Sequence, residues 1–324
     1  MSAASLSDRQ LEILATVFGA PARLDGDHIV IGEKRHRVID GVVIVDDMGR
    51  EEAAKEEVVR SFGAEWTTFS QMTPEHQAEF DAYFDLIDVP ALAGKAVADL
   101  GCGMGRWSRI LMERTRPRFL VCADLSEAIF VARENLKDHD NVVFLRADLE
   151  KLAFPGFRFD LAFSLGVLHH IPAGPERALA NIAGYCERFL CYLYYALDNR
   201  GAVFAALFRL ADGLRRALTL VRNEAARRSI SWLLAVFLYK PFVILADVAG
   251  WFGVDKERLP LNAYCGNSLA RIQQDAYDRF FTSVEHRYSR ADVRALTAPH
   301  WRDIVFSDRQ PYWHFLCMGP KERV

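Results

Sequence analysis

The stretch VADLGCGMGRWS, Val97 to Ser108, sets an apolar run against three glycines in five positions and then a helix-forming segment. A backbone that bare between strand and helix allows close approach of another segment or of a ligand, because glycine alone adopts positive φ without steric cost. Three ligands suit such a turn: a dinucleotide, a nucleotide phosphate and S-adenosylmethionine. The dinucleotide fingerprint is G-x-G-x-x-G, whereas Gly101, Gly103 and Gly105 follow G-x-G-x-G. A phosphate loop would close on Gly-Lys-Ser/Thr, where Arg106-Trp107 stand instead. Asp99, just upstream, suits a ligand carrying an ammonium and a sulfonium better than a pyrophosphate. Tight packing alone is the competing reading of the glycines.

Downstream the pattern alternates between short apolar runs and helical stretches: strand 96–100, helix 105–115, strand 118–123, helix 126–137, strands 141–146 and 158–164, helix 175–186, strand 188–195. That rhythm indicates an α/β fold with a mostly parallel sheet covered on both faces. WRDIVFS and YWHFLCM read as two final strands joined near Arg309 to Pro311, behind a helix capped by Ser289 with Asp292. A hairpin closing a parallel sheet requires one antiparallel strand. The expected architecture is therefore a doubly wound, mostly parallel seven-stranded sheet. It carries a preface over 1–90 (a small β element at 27–46, then helix), a core over 91–198 and 289–324, and a helical cap inserted at 199–288.

Composition narrows the function. The 324 residues are 51% hydrophobic with a formal net charge of −3, which argues against a nucleic-acid partner without a local basic patch. Six cysteines, none in a C-x-x-C pair, predict neither a metal site nor a disulfide framework and point to a reducing cytoplasm. The N-terminus lacks the basic start and apolar core of a signal peptide, and no run of eighteen apolar residues marks a membrane span.

The acids at successive strand ends choose among the ligands. Asp124, with Leu125 after it, ends the second core strand at the carboxyl edge where open α/β sheets bind ligands, and its carboxylate can accept two ribose hydroxyls. Asp148 ends the third, offering an acceptor for an adenine amino group, with the Leu149 amide as a donor to the ring. VADLGCGMG, ADLS, RADLEKL and FDLAFSLGVLHHI occur in the order and spacing that resemble the class I S-adenosylmethionine-dependent methyltransferases, over roughly residues 60–195 plus the terminal strands. The resemblance implies a Rossmann-like methyltransferase fold. It places Asp99 and the backbone of Gly101, Cys102, Gly103 and Gly105 against the methionine part, and Ser164 and Leu165 beside the sulfonium.

Methyl transfer is an in-line displacement in which alignment does most of the work, so no catalytic triad is required. His169, His170 and Tyr194 are the candidates for deprotonating or orienting an acceptor; Trp66, Tyr195, Tyr264 and Arg279 are candidates for binding it. Cys102 is read as a small residue tolerated in the turn rather than a nucleophile. The acceptor is expected to be a small molecule, lipophilic or a glycan precursor, methylated on oxygen, nitrogen or sulfur. An RNA or protein methyltransferase and a non-methylating cofactor-binding regulator remain alternatives. Within the cap, arginines precede the apolar run Trp232 to Phe252, which reads as a buried interface, a homodimer contact or a peripheral membrane contact through 202–252 at the inner membrane surface. Lys240-Pro241 and Asp247 argue against a simple spanning helix.

Overall fold

The computed structural model describes residues 6–45, 56, 59–60, 63, 75–196, 211–252, 259, 261, 264–282, 284–309 and 313–321. The chain divides into two compact units, residues 1–196 with 284–324, and residues 197–283.

The first unit begins with α1 (Asp8–Phe18), β1 (Ala22–Asp25), β2 (His28–Ile31), β3 (Lys34–Ile39), β4 (Val42–Ile44) and α2 (Glu75–Tyr83). It continues through β5 (Ala96–Leu100), α3 (Arg106–Arg114), β6 (Phe119–Asp124), α4 (Ala128–Asn135), β7 (Val142–Arg146), β8 (Leu161–Leu165), α5 (Glu176–Ala183) and β9 (Arg188–Tyr192). The second unit holds α6 (Glu224–Leu234), α7 (Lys240–Trp251) and α8 (Leu269–Phe281), and the first unit closes with α9 (Arg290–Thr297), β10 (Trp301–Phe306) and β11 (Phe315–Pro320).

Among the described residues one sheet of eleven strands runs in the order β1-β2-β3-β4-β7-β6-β5-β8-β9-β11-β10. Its seven core strands are parallel except β11, which runs antiparallel between β9 and β10, as the closing hairpin demands. Alternate residues face opposite sides. Ala96, Ala98 and Leu100 of β5 join a core with Ile13 and Leu14 of α1 and Leu179 and Ile182 of α5. Val97 joins a second core with Phe80 of α2, Ile110 of α3 and Ile129 of α4. Strands buried on both faces cannot show polar alternation, which is why their sequences read as short apolar runs.

Two features go beyond what the sequence suggested. The β element of the preface, read as a small β-hairpin or meander at 27–46, is a four-stranded meander from Ala22 to Ile44, and β4 pairs in parallel with β7, Val43 opposite Leu145, so it extends the core sheet. In front of it stands a helix the sequence reading did not anticipate, α1, capped by Ser7 and Gln10 and ended by Gly19 at φ 65°. In the second unit, Pro241 does not interrupt the apolar segment. Glu224–Ala249 is one helix of 26 residues, long and apolar enough to cross a membrane by length and composition. Proline lacks an amide N–H and its ring crowds the carbonyl four residues back, and a wider π turn at Ala235–Tyr239 stands where that conflict falls.

Candidate active site

The glycine turn is held in place before any ligand arrives. The amides of Gly101 and Cys102 both donate to the Ala123 carbonyl, at 2.7 and 3.1 Å, tying the end of β5 to β6. Asn135 Nδ2 donates to the Met104 carbonyl at 2.9 Å from α4. Gly101, Gly103 and Gly105 have φ of 80°, 54° and 78°, the left-handed region that disfavours a side chain. At Gly101 space forbids one as well: a Cβ would lie 2.4 Å from Val167 Cγ1, a residue of the loop after β8. Packing therefore accounts for part of the glycine pattern.

The acids divide into two kinds. Asp99 is 1% exposed and its carboxylate accepts from Ser108 Oγ at 2.6 Å, fastening β5 to α3 beneath the turn. Burial, with a smaller push from the Asp124 charge, raises its pKa to about 7 against the pull of Ser108. Asp124 is partly open. One oxygen accepts from the Gly103 amide at 2.8 Å and the other from the Ser126 amide and hydroxyl at 2.8 and 2.7 Å. Burial raises its pKa too, opposed by those hydrogen bonds. Each carboxylate oxygen has two lone pairs; both on Oδ1 and one on Oδ2 are engaged, so Oδ2 keeps the capacity to accept one hydroxyl. Leu125 follows, its carbonyl accepting from Arg146 Nε at 3.2 Å. Asp148 is 5% exposed and accepts from the Glu150 amide at 3.0 Å, and Leu149 is 8% exposed. Ser164 is fully buried with its hydroxyl on the Leu100 carbonyl at 2.7 Å, and Leu165 ends β8 beside it.

Cys102 is buried and burial pushes its thiol well up, so it is not poised as a nucleophile. The described residues hold no cluster of three His, Cys, Asp or Glu side chains able to bind a metal ion.

Beyond the glycine turn an aromatic wall follows the ends of β8 and β9. His169 stacks on Tyr194 with ring centroids 3.9 Å apart, and His170 lies 4.0 Å from His169. Tyr194 neighbours Tyr192 at 5.8 Å, Tyr192 neighbours Tyr83 of α2 at 5.2 Å, and Tyr83 meets Trp107 of α3 at 5.3 Å. Arg287 lies over the Tyr194 ring at 5.4 Å and pairs with Glu285 at 2.6 Å. His170 Nδ1 is bound to the Val284 carbonyl at 2.7 Å. His169 differs: it is fully buried, and neither ring nitrogen has a hydrogen-bond partner. Burial above all, with the neighbouring His170 and Arg287, holds its pKa well below the ordinary histidine value, so its imidazole is neutral.

The structure thus gathers His169, His170 and Tyr194. Tyr195 is nearby in sequence but bridges to Tyr288 and faces Trp313 at 6.5 Å. Tyr264 belongs to the second unit, where its hydroxyl donates to Asp275 at 2.7 Å, with Arg279 in electrostatic range of both. Trp66 lies outside the described residues. Tyr83 and Tyr192 escaped the sequence reading; the signal for Tyr83 was the helical spacing of Phe80, Tyr83 and Phe84 in AEFDAYFDLI.

Residues 97–188 match the family model described as a methyltransferase domain. A 69-residue stretch is 38% identical to the malonyl-[acyl-carrier protein] O-methyltransferase of Bacteroides fragilis; it covers 21% of this chain, and the chain spans 14% of that relative's length. Among solved structures, an S-adenosylmethionine-dependent methyltransferase from Mesorhizobium loti is 29% identical over 39% of this chain and 57% of its own, with a TM-score of 0.33. Magnesium protoporphyrin IX methyltransferase from Synechocystis PCC 6803, with bound S-adenosylhomocysteine, aligns over 81% of this chain and 97% of its own at 15% identity and a TM-score of 0.44.

Proposed function

We propose that this chain, which carries a class I S-adenosylmethionine-dependent methyltransferase domain, transfers a methyl group from that cofactor to an oxygen, nitrogen or sulfur atom of a small-molecule acceptor. The observation that carries the reading is the convergence, at the carboxyl ends of three adjacent strands, of a left-handed glycine turn after β5, the partly open Asp124 after β6 and Asp148 after β7. The residues fit the cofactor: bare backbone for the methionine part, a carboxylate with spare acceptor capacity for ribose, and an acid beside the Leu149 amide for adenine. When bound, the cofactor supplies an electrophilic methyl on a sulfonium.

The chain's own residues would align the acceptor. The wall of Tyr83, Tyr192 and Tyr194, backed by the buried His169, offers apolar faces with polar tips, which suits an organic molecule with one ionisable group. The imidazole of His169, buried and held neutral, stacks on Tyr194 and so positions that ring rather than taking a proton. The name of the Bacteroides relative supports an oxygen as the accepting atom.

Calorimetry with S-adenosylmethionine and S-adenosylhomocysteine, followed by transfer of labelled methyl into a metabolite extract, tests the proposal. Binding and label transfer to a small molecule are expected. No binding overturns the cofactor assignment, and label appearing only in RNA or protein overturns the acceptor class. A contact with the membrane is a separate proposal.

A further inference from the structure

The helix Glu224–Trp251 has two faces. Its buried positions are Arg227, Ser231, Ala235, Tyr239, Val243 and Ala246. A spacing of four residues drifts around a regular helix by about 40° each time. The π turn at Ala235–Tyr239 adds a residue to one turn and returns the stripe to a single side. That side is tied to the rest of the unit by polar contacts: Tyr277 Oη donates to Glu224 at 2.6 Å, Gln273 Nε2 to the Arg228 carbonyl at 3.2 Å, and Lys240 Nζ to the Asn267 carbonyl at 3.5 Å.

The opposite face is bare and apolar. Leu233, Phe237, Leu245 and Trp251 are 46%, 72%, 58% and 81% exposed, and Phe252 beyond the helix is 81% exposed. Of the large apolar side chains exposed among the described residues, all but Val305 belong to this unit. No exposed position described within Glu224–Trp251 is a carboxylate, and the one charge there is Arg228. Residues 211–228 carry five arginines (215, 216, 222, 227, 228) against two acids, Asp212 and Glu224. Both acids are engaged inside the unit, Asp212 by Arg215 and Arg216 at 2.9 Å and Glu224 by Tyr277. Arg222 and Arg228 are exposed.

We infer that this face is a monotopic membrane-docking surface: the helix lies in the plane of an anionic bilayer, with Phe237 and Leu245 in the acyl boundary, Trp251 at headgroup level and the exposed Arg222 and Arg228 on lipid phosphates. A bare apolar stripe with a basic surplus at one end matches what an anionic interface attracts. A second copy is a poorer occupant, since a two-fold contact sets the patch against itself and the patch has no acid to meet its own arginines. A spanning arrangement would strip the polar contacts from the inner face. The inference is independent of methyl transfer.

The test uses the full chain in flotation with phosphatidylcholine vesicles, with and without phosphatidylglycerol, at low and high salt. The double variant Phe237→Glu/Leu245→Glu changes only exposed side chains, and its melting curve verifies its fold. Binding to phosphatidylglycerol vesicles that weakens with salt, and falls by about tenfold or more in the variant, is expected. Failure of the native chain to float, or equal flotation of the variant, overturns the inference. So does a dimer in solution that the variant dissociates without any vesicle binding, which would assign the face to a second copy. Resistance to alkaline carbonate extraction would overturn it in favour of a spanning helix.

Discussion

Asp124 at the end of β6 accepts the Gly103 amide at 2.8 Å, so the carboxylate proposed to hold the ribose also braces the turn proposed to hold the methionine part. One side chain sets the distance between two halves of the cofactor cradle. Its loss should therefore register twice.

Asp124→Ala is expected to weaken S-adenosylmethionine by about 1.5–3 kcal/mol, the range for a hydrogen bond to a charged group. It should also lower thermal stability, because the Gly103 and Ser126 amides lose their acceptor. Calorimetry reads the first effect and a melting curve the second. Unchanged affinity in a folded variant would remove Asp124 from the ribose site.

Gly101→Ala meets both a backbone and a steric obstacle: φ of 80° and Val167 Cγ1 at 2.4 Å from the new Cβ. Left-handed backbone alone costs a non-glycine residue about 1–3 kcal/mol. Adding Val167→Ala should recover the steric share in urea unfolding and leave the backbone share. Recovery of full stability would show that strain in φ plays no part.

His169 gives a prediction in pH. Its folded pKa is depressed, so below the unfolded value near 6.5 the unfolded chain binds a proton that the native state refuses. Stability then falls with falling pH, starting near pH 6.5, with a slope of up to about 1.4 kcal/mol per pH unit for one proton. His169→Phe should flatten that part of the profile, read by urea unfolding between pH 5 and pH 7. A variant with native acid sensitivity would show that other histidines control it.

Asp99 carries the opposite sign. With a folded pKa of about 7, it keeps its proton in the native state over a range where the unfolded chain has released it, so its contribution declines as pH rises from about 4 to 7. Asn can accept from Ser108 without a charge to desolvate. Asp99→Asn should thus gain stability relative to the native chain at pH 8, by up to about 4 kcal/mol if the whole shift is realised. Equal stability of the two chains at pH 5 and pH 8 would contradict a buried, shifted carboxylate.

Legibility followed the range of the interactions. The core strands and the candidate cofactor residues are coded locally: β5 to β7 are short apolar runs, and Gly101, Asp124 and Asp148 sit at their ends in chain order. The single antiparallel strand of the seven-stranded core was also accessible, because a hairpin joined near Arg309 requires one of its two strands to run against the parallel sheet. The pairing of Val43 with Leu145 was not, since nothing in a stretch of three β residues names a partner a hundred positions away. Tyr83 was hidden for a similar reason: its meeting with Tyr192 depends on how α2 docks. The continuity of the helix through Pro241 was not legible either, because it depends on the π turn before the proline.

The parallel contact of β4 with β7 orders events during synthesis. Residues 42–44 form their seam on residues 144–146, so the meander leaves the ribosome about a hundred residues before the strand it must join. Closing so long a loop is slow, and until it closes β4 is an open edge able to pair with another chain. Once docked, it turns the exposed side of β7 into sheet interior and moves the free margin out to β1, a strand of four residues whose exposed positions are Arg23 and Asp25. A nascent chain stalled before residue 146 would be the aggregation-prone species, and a circular permutant that makes the meander last would spend the least time in that state.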